Sequence, residues 1–196
     1  MNNNHIKMVK SFAKANLYLE ILKKREDGFH DIYSLFIPIN WHDEIYFSLT
    51  EKNEINIDSN NKDLVHSDNT IYKAAKLLLP YKKIKQGILL NLIKNVPYGA
   101  GLGSASSNGM TVLKELNILW QCGLSKQQIL DLALKIGSDL PFFYENKPSI
   151  ITGRGEHIQI LDFPKKKLFL LILKPKKHSI STPKAYHIIA ADKAYT

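Results

Sequence analysis

The chain of 196 residues contains little cysteine, few acidic side chains and no long apolar run. Its single cysteine, Cys122, excludes an internal disulfide and favours a reducing compartment. The longest aliphatic run, at 168–173, is too short to cross a bilayer and predicts a buried strand. The first residues lack the apolar segment of a secretory signal. We therefore expect a cytoplasmic protein with no membrane partner.

Acidic residues are outnumbered by basic ones, 18 against 27, which gives a formal net charge of +9. This surplus favours an anionic partner, and both nucleic acid and a phosphorylated metabolite fit that description. Much of the surplus lies in short lysine runs, typical of solvated loop ends, at 82–83, 165–167 and 174–177. Aromatic residues do not alternate with these lysines as a base-stacking surface requires. A basic RNA-binding module stays open as an alternative function.

Hydrophobic periodicity predicts an α+β fold, because strands come first, helices follow and strands return. The first strand alternates, and its apolar face carries Ala13, Ala15, Leu17, Leu19 and Ile21. A turn at Asp27-Gly28 joins it to the second strand. Strands are predicted at 9–22, 32–39, 44–49, 54–57, 87–93, 149–152, 157–161 and 168–173, the third and fourth as a hairpin. Helices are predicted at 69–79, after residue 103 up to a stop at Gly123, at 125–136 behind a capping box of Ser125 and Gln128, and from Pro183.

The least ordinary segment is P-Y-G-A-G-L-G-S-A-S-S at 97–107, which is rich in small residues and carries no charge. It is not a Walker A loop, because no lysine follows Gly103, and its G-x-G-x-G spacing differs from the dinucleotide-binding G-x-G-x-x-G. Small residues between a strand and a helix let backbone N–H groups surround an anion at the positive end of the helix. We predict a phosphate-binding loop, and a flexible turn is the alternative.

This segment resembles the phosphate-binding loop of the GHMP kinases, which include galactokinase and the homoserine, mevalonate and phosphomevalonate kinases. Other segments resemble, in order, the branch of that family that phosphorylates a cytidine-diphosphate-linked methylerythritol. They are A-K-A-N-L at 13–17, D-G-F-H at 27–30, L-F at 35–36, D-N at 68–69, L-W-Q-C-G-L-S at 119–125 and G-S-D-L-P-F at 137–142. The resemblance runs from about residue 11 to 186. It implies a GHMP kinase N-terminal domain, with a fold like domain 2 of ribosomal protein S5.

The resemblance also implies a domain organisation and a reaction. The ATP-binding domain covers 1–173, and 174–196 is only the start of a second, C-terminal domain. ATP, with Mg²⁺, phosphorylates the 2-hydroxyl of a small cytidine-diphosphate-linked polyol in non-mevalonate isoprenoid synthesis, with no nucleic-acid partner. We expect a truncated copy that binds nucleotide and turns over slowly, because half a cleft leaves phosphate and hydroxyl hydrated. A homoserine or mevalonate kinase is the alternative within the family.

Individual residues receive roles from the same resemblance. Asp139 accepts the proton of the substrate hydroxyl and Lys14 lowers the pKa of that hydroxyl, with no protein side chain assigned as a metal ligand. Taken alone, Asp139 also suits a helix N-cap, and Lys14 a solvent-facing strand position. The implied ATP- and phosphate-binding residues are Pro97, Gly99, Ala100, Gly101, Leu102, Gly103, Ser104, Ala105, Ser106, Ser107 and Asn69. The implied substrate-binding residues are Asn16, Phe29, His30, Phe36 and Tyr186.

Among the implied substrate-binding residues, Phe29 and Tyr186 would stack on the cytosine ring, and His30 would form hydrogen bonds with the edge of that ring. A histidine beside an aromatic residue in a loop also suits plain packing. The chain departs from this branch of the family where Phe29 replaces a frequent tyrosine, and where Ser104 and Ala105 replace frequent glycines. Stacking survives the first change, whereas a contact through a tyrosine hydroxyl does not.

Overall fold

The computed structural model describes residues 6–162 and 167–173, which contain six strands and four α-helices. The strands are β1 (Lys7–Lys24), β2 (His30–Thr50), β3 (Ile55–Ser59), β4 (Gly87–Ile93), β5 (Ser149–Gly153) and β6 (His157–Ile160). The helices are α1 (Thr70–Leu78), α2 (Ser104–Leu119), α3 (Lys126–Leu134) and α4 (Phe142–Glu145), with short 3-10 helices at Lys62–Leu64 and Leu79–Tyr81. The predicted α+β class is confirmed.

Strand β2 is the centre of the sheet, because it is long enough to pair with three other strands. Strand β1 runs antiparallel along one edge of β2, from the Lys24–His30 pair to the Lys7–Phe47 pair. The other edge pairs with β4 through 44–50 and with β5 through 32–36, both antiparallel. The order is β3-β4-β2-β5-β6, with β1 paired to β2. Residues 37–43 of β2 therefore lie in the gap between β4 and β5.

The core lies between one face of this sheet and the helices. Strand β4 shows the alternation that this requires, because Ile88, Leu90 and Leu92 are almost fully buried and join the core cluster. Helix α2 contributes Leu113 and Leu116, both 0% exposed, to the same cluster. Helix α2 is thus packed on the core, and Lys94, directly after β4, donates a hydrogen bond to Ser104 at the start of that helix.

Local signals set the starts of α1 and α3, whereas the helix ends predicted at Gly123 and residue 136 lie beyond the observed ends at Leu119 and Leu134. The side chain of Asn69 caps α1 by accepting a hydrogen bond from the N–H of Ile71. At the start of α3, Ser125 and Gln128 form the predicted capping box, with both reciprocal hydrogen bonds present. Helix α2 has Gly103 at its N-cap and receives no side-chain capping bond there.

Two predictions about strand pairing are wrong. The strands predicted at 32–39 and 44–49 are one continuous strand, β2, and the predicted hairpin between 44–49 and 54–57 does not form. Strand β3 pairs in parallel with β4 instead. A parallel pair needs a long crossover connection, which α1 supplies between these two strands.

Two predictions about burial are also wrong. Leu17 and Leu19 are 42% and 48% exposed, and residues 16–20 of β1 are all exposed, so both faces of this part of the strand are uncovered among the described residues. Residues 167–173 form no strand, and Phe169 is 94% exposed. Within the described ranges no strand pairs with this segment, so its backbone lacks the ladder that a strand needs.

Other predictions lie outside the described residues. They are the start of a second domain at 174–196, the helix beginning at Pro183, and Tyr186. Over the ranges that are described, no helix is both long and apolar enough to cross a membrane.

Candidate active site

The predicted phosphate-binding loop connects β4 to the start of α2. Its three glycines, Gly99, Gly101 and Gly103, have φ angles of 67°, 71° and 66°, in the left-handed region that disfavours other residues. Because α2 begins at this loop without a side-chain cap, the N–H groups of its first turn have no partner in the helix. These groups and the helix dipole make the loop a suitable cradle for phosphate oxygens.

The loop is attached to β1 at the residue that carries the predicted active-site ammonium group. The backbone N–H of Lys14 donates to the carbonyl oxygen of Leu102 at 2.9 Å. The side chain of Leu102 packs with Ala13 and Val96 in a small buried cluster. A Cβ placed on Gly103 would lie 2.8 Å from Cζ of Phe143 and 3.0 Å from Cε of Lys14. The loop backbone therefore lies directly against the side chains of Lys14 and Phe143, and residue 103 has no room for a side chain of its own.

Lys14 is 5% exposed, so the interpretation of this residue as a solvent-facing strand lysine is wrong. Its Nζ lies 3.7 Å from Oδ2 of Asp139 and 4.2 Å from the ring centroid of Phe36, and it donates a hydrogen bond to Oδ1 of Asn16. Burial lowers the pKa of Lys14 below the ordinary lysine value, and the charge of Asp139 acts in the opposite direction. The ammonium is thus held among a carboxylate, an amide and an aromatic face.

Asp139 lies in the turn between α3 and α4, and its side chain is 38% exposed. The alternative role as the N-cap of α4 is wrong, because Pro141 occupies that position. The carboxylate is therefore left facing Lys14 on one side and solvent on the other. This is the arrangement that a group accepting a proton from a bound alcohol needs.

The serines of the loop differ in how available their hydroxyl groups are to a ligand. Ser104 is 7% exposed, and its Oγ accepts a hydrogen bond from Nζ of Lys94 at 2.7 Å. Ser107 is 3% exposed, and its Oγ accepts from Oγ of Ser11 at 2.8 Å. Ala105 and Ser106 are half-buried. Of the three hydroxyls, only that of Ser106 has no protein partner recorded among the described residues.

Asn69, predicted on the nucleotide side, works as a structural cap. Its Oδ1 accepts from the N–H of Ile71 and its Nδ2 donates to the carbonyl oxygen of Leu64. It also lines a cavity of about 80 Å³, together with Lys94, Tyr98, Ala105, Asn108 and other residues of the same region. This cavity lies beside the predicted phosphate-binding loop.

The residues predicted to read the substrate fall in two regions along the β1–β2 hairpin. Asn16 and Phe36 lie beside Lys14, where Phe36 is 2% exposed and packs against Phe142 at 5.3 Å between ring centroids. Phe29 and His30 lie at the turn of the hairpin. The span 30–36 of β2 covers about 20 Å, so a ligand must be extended to reach both regions.

At the hairpin turn, Phe29 is 50% exposed, whereas His30 is buried. The guanidinium of Arg154 lies over the Phe29 ring, with Cζ 4.9 Å from the ring centroid. The pair forms an exposed planar surface with a positive charge. Tyr186, the second predicted stacking residue, lies outside the described residues.

Sequence reasoning missed three residues near the site, namely Asp43, Lys94 and Arg154. Asp43 and Lys94 form a buried ion pair, with Nζ of Lys94 2.7 Å from Oδ2 of Asp43. Burial lowers the pKa of Lys94, and Asp43 opposes that shift. No local signal marks this pair, because Asp43 lies in β2 whereas Lys94 directly follows β4, 51 residues further along the chain. Across the described ranges, no group of three or more His, Cys, Asp or Glu side chains could hold a metal ion.

Comparison with known proteins finds relatives along most of the chain. A 4-diphosphocytidyl-2-C-methyl-D-erythritol kinase of Thermodesulfovibrio yellowstonii is 44% identical over 177 residues, which cover 90% of this chain and 60% of that protein. A protein of the same name from Pelodictyon phaeoclathratiforme is 41% identical over 186 residues, which cover 93% of this chain and 63% of that protein. The chain thus spans less than two thirds of the length of these relatives.

Solved structures show the same fold. A crystal structure of 4-(cytidine 5'-diphospho)-2C-methyl-D-erythritol kinase superposes with a TM-score of 0.71 at 30% identity, covering 81% of this chain and 56% of that one. The mevalonate kinase of Methanococcus jannaschii has a TM-score of 0.61 at 16% identity, covering 83% and 57%, and shares the fold alone. Residues 69–147, which include the phosphate loop and Asp139, match the family model of the GHMP kinases N terminal domain. Over residues 69–147 the chain therefore carries a GHMP kinase N-terminal domain.

Proposed function

We propose that this chain binds ATP at the 97–107 loop and transfers its γ-phosphoryl group to a hydroxyl of a cytidine-diphosphate-linked methylerythritol. The observation that supports this most directly is the buried Lys14 ammonium, 3.7 Å from Asp139 and in contact with the loop at Gly103. A general base, a cation and a phosphate cradle are the parts that phosphoryl transfer to an alcohol requires.

The chemistry follows from the positions of these groups. Asp139 accepts the proton as the substrate oxygen attacks the γ-phosphorus, and the bond between that phosphorus and the β-phosphate oxygen breaks to release ADP. Lys14 stabilises the negative charge that develops on the attacking oxygen and the transferring group. Asn16 and Phe36 keep the ammonium in place, through a hydrogen bond and a ring face respectively.

Mg²⁺ is proposed as the companion of ATP. This ion keeps several waters and binds through one or two carboxylates together with substrate phosphates, rather than in a cage built only from protein. Because Asp139 is assigned to proton transfer, the phosphate oxygens and water would hold most of the ion's coordination positions, and the hydroxyl of Ser106 in the loop can supply one further oxygen. Bound there, the ion would neutralise charge on the phosphates.

The choice of substrate within the family rests on the hairpin turn. The half-exposed ring of Phe29, with Arg154 over it, offers a stacking surface for a pyrimidine and a positive charge near its phosphates. The two named relatives described above act, by their names, on a diphosphocytidyl compound. Homoserine and mevalonate contain no aromatic ring that would use this surface.

The experiment that tests this proposal has two steps. Calorimetry with purified 1–196 measures binding of ATP with Mg²⁺, and Asp139→Asn serves as a matched variant that should still bind. Phosphoryl transfer is then measured with the cytidine-diphosphate-linked alcohol, homoserine and mevalonate, and the modified hydroxyl is located by NMR. Absence of ATP binding, or a preference for either of the other alcohols, would contradict the proposal. Salt-sensitive binding of oligonucleotides without ATP binding would favour the RNA-binding alternative.

A further inference from the structure

Asp43 is a fully buried carboxylate that receives four hydrogen bonds from the two segments flanking the phosphate loop. Its Oδ1 accepts from the N–H groups of Asn95 and Val96, each at 2.8 Å. Its Oδ2 accepts from Nζ of Lys94 at 2.7 Å and from Nδ2 of Asn108 at 3.1 Å. Asp43 is 0% exposed. One carboxylate thus joins the chain leaving β4 to the first turns of α2.

Lys94 extends the same connection. Its Nζ donates to Oδ2 of Asp43, to the carbonyl oxygen of Val96 and to Oγ of Ser104, the first residue of α2. An ammonium group has three protons, and here each has an acceptor inside the protein. The side chain is 6% exposed. The hydrogen-bonding capacity of the Lys94 ammonium is therefore used by groups on both sides of the loop, and no proton is left to bind a ligand.

We propose that Asp43 is a positioning residue for the phosphate loop, acting through its bonds to Asn95 and Val96 before the loop and through Lys94 and Asn108 to the helix after it. The inference rests on the proposed function, because it assigns the purpose of this connection to ATP binding. The 97–103 segment has three left-handed glycines and little packing area of its own. Fixing both of its ends makes up for that freedom, and a preorganised loop loses less entropy when phosphate binds.

A chemically balanced double variant separates this role from a general role in stability. Removing one partner of a buried ion pair leaves an unpaired charge and threatens the fold, whereas replacing both with neutral groups is often tolerated. In Asp43→Asn/Lys94→Met, the amide oxygen can still accept from Asn95 and Val96. The amide nitrogen cannot accept from Nδ2 of Asn108, and the connection through Lys94 to Ser104 is lost, so both connections to α2 are removed. Asn117→Ala is the control, because Asn117 makes two hydrogen bonds to the backbone of Leu124 at the far end of α2.

We expect the double variant to stay folded, to exchange the amides of 97–107 faster than wild type, and to bind ATP about tenfold more weakly, roughly the entropy cost of ordering one or two flexible groups. Turnover should fall more than KM for ATP rises, since a displaced loop misaligns the γ-phosphate. Asn117→Ala should lower the melting temperature without changing loop exchange or ATP affinity. A folded double variant with unchanged loop exchange and ATP affinity would overturn the inference.

The wild-type chain provides an independent test that does not depend on a variant folding. The amides of Asn95 and Val96 should be protected from hydrogen exchange as well as those within β4, although both lie beyond the end of the strand. Rapid exchange at these two amides would also overturn the inference. Failure of wild type to bind ATP would refute the proposed function instead, and would leave the loop-exchange comparison to decide whether Asp43 orders the loop.

Discussion

Replacing Gly103 with alanine should separate the loop's role in phosphate binding from its contribution to stability. Gly103 has a φ of 66°, and a left-handed conformation costs an alanine about 1–2 kcal/mol. The added Cβ would also lie 2.8 Å from Cζ of Phe143 and 3.0 Å from Cγ of Lys14. Phe143 is 5% exposed and cannot swing into solvent, so overpacking adds about 1–3 kcal/mol.

The displaced atoms are those of the candidate site, so the functional effect should exceed the loss of stability. A shift of Lys14 or the loop by about 1 Å is expected to cost about 10²-fold in turnover. Gly123→Ala is the matched control, because Gly123 has a φ of 73° and its added Cβ meets only the flexible end of Lys83, at 3.2 Å. It introduces similar backbone strain at the far end of α2.

The assay combines urea denaturation with ATP calorimetry and phosphoryl transfer for wild type and both variants. Gly123→Ala should lose about 1–2 kcal/mol of unfolding free energy and keep its ATP affinity. Gly103→Ala should lose more stability, bind ATP more weakly and turn over slowly. If the two variants lose equal stability and Gly103→Ala keeps wild-type ATP affinity and turnover, the close contact between loop and Lys14 has no functional meaning.

Three further predictions concern single side chains. Asp139→Asn should keep ATP affinity and lower turnover by about 10²–10⁴-fold, because an amide cannot accept the hydroxyl proton; unchanged steady-state rates would remove Asp139 from the mechanism. Phe29→Ala should weaken the cytidine-bearing substrate by about 1–3 kcal/mol and leave ATP affinity unchanged, as competition binding would show, whereas equal losses for both ligands would indicate plain packing. Because burial lowers the pKa of Lys14 in the folded protein below 10.5, the unfolded chain binds more protons than the folded chain at pH values just below 10.5. Wild-type stability measured against Lys14→Met should therefore rise with pH toward 10.5, and a fall over that range would contradict the assigned burial cost.

The parts of the fold that follow from local chemistry could be predicted from the sequence. The strand at 87–93 was predicted with the bounds that the structure shows, because its alternation and flanking residues are local signals. The capping box at Ser125 and Gln128 is set by residues three apart, so its position required no knowledge of the fold. The small-residue loop at 97–107 stands out in the sequence for the same reason, and its three glycines do have left-handed backbone conformations.

Pairing between distant segments could not be predicted. The stretch 54–57 suits a hairpin with 44–49, because nothing local shows that β4 will lie between them. The exposure of Leu17 and Leu19 depends on whether another element covers that part of β1, and within the described residues none does. The ion pair joins Asp43 in β2 to Lys94, which directly follows β4, and the pairing of those two strands is itself non-local. In each case the missing information is tertiary, and propensity within a window does not contain it.

Lys14 shows why the site needs both kinds of information. On local grounds a lysine in an alternating strand faces solvent, since burying an ammonium without a partner is costly. The structure buries it because Asp139, Asn16 and Phe36 surround its charge, and two of these come from other parts of the chain. The chain also accepts a second buried lysine, Lys94, and three left-handed glycines beside it. Such departures from local preference need support from the surrounding tertiary structure, and they are common at functional sites. Here they occur around one loop, and this is the physical reason for proposing that ATP binds there.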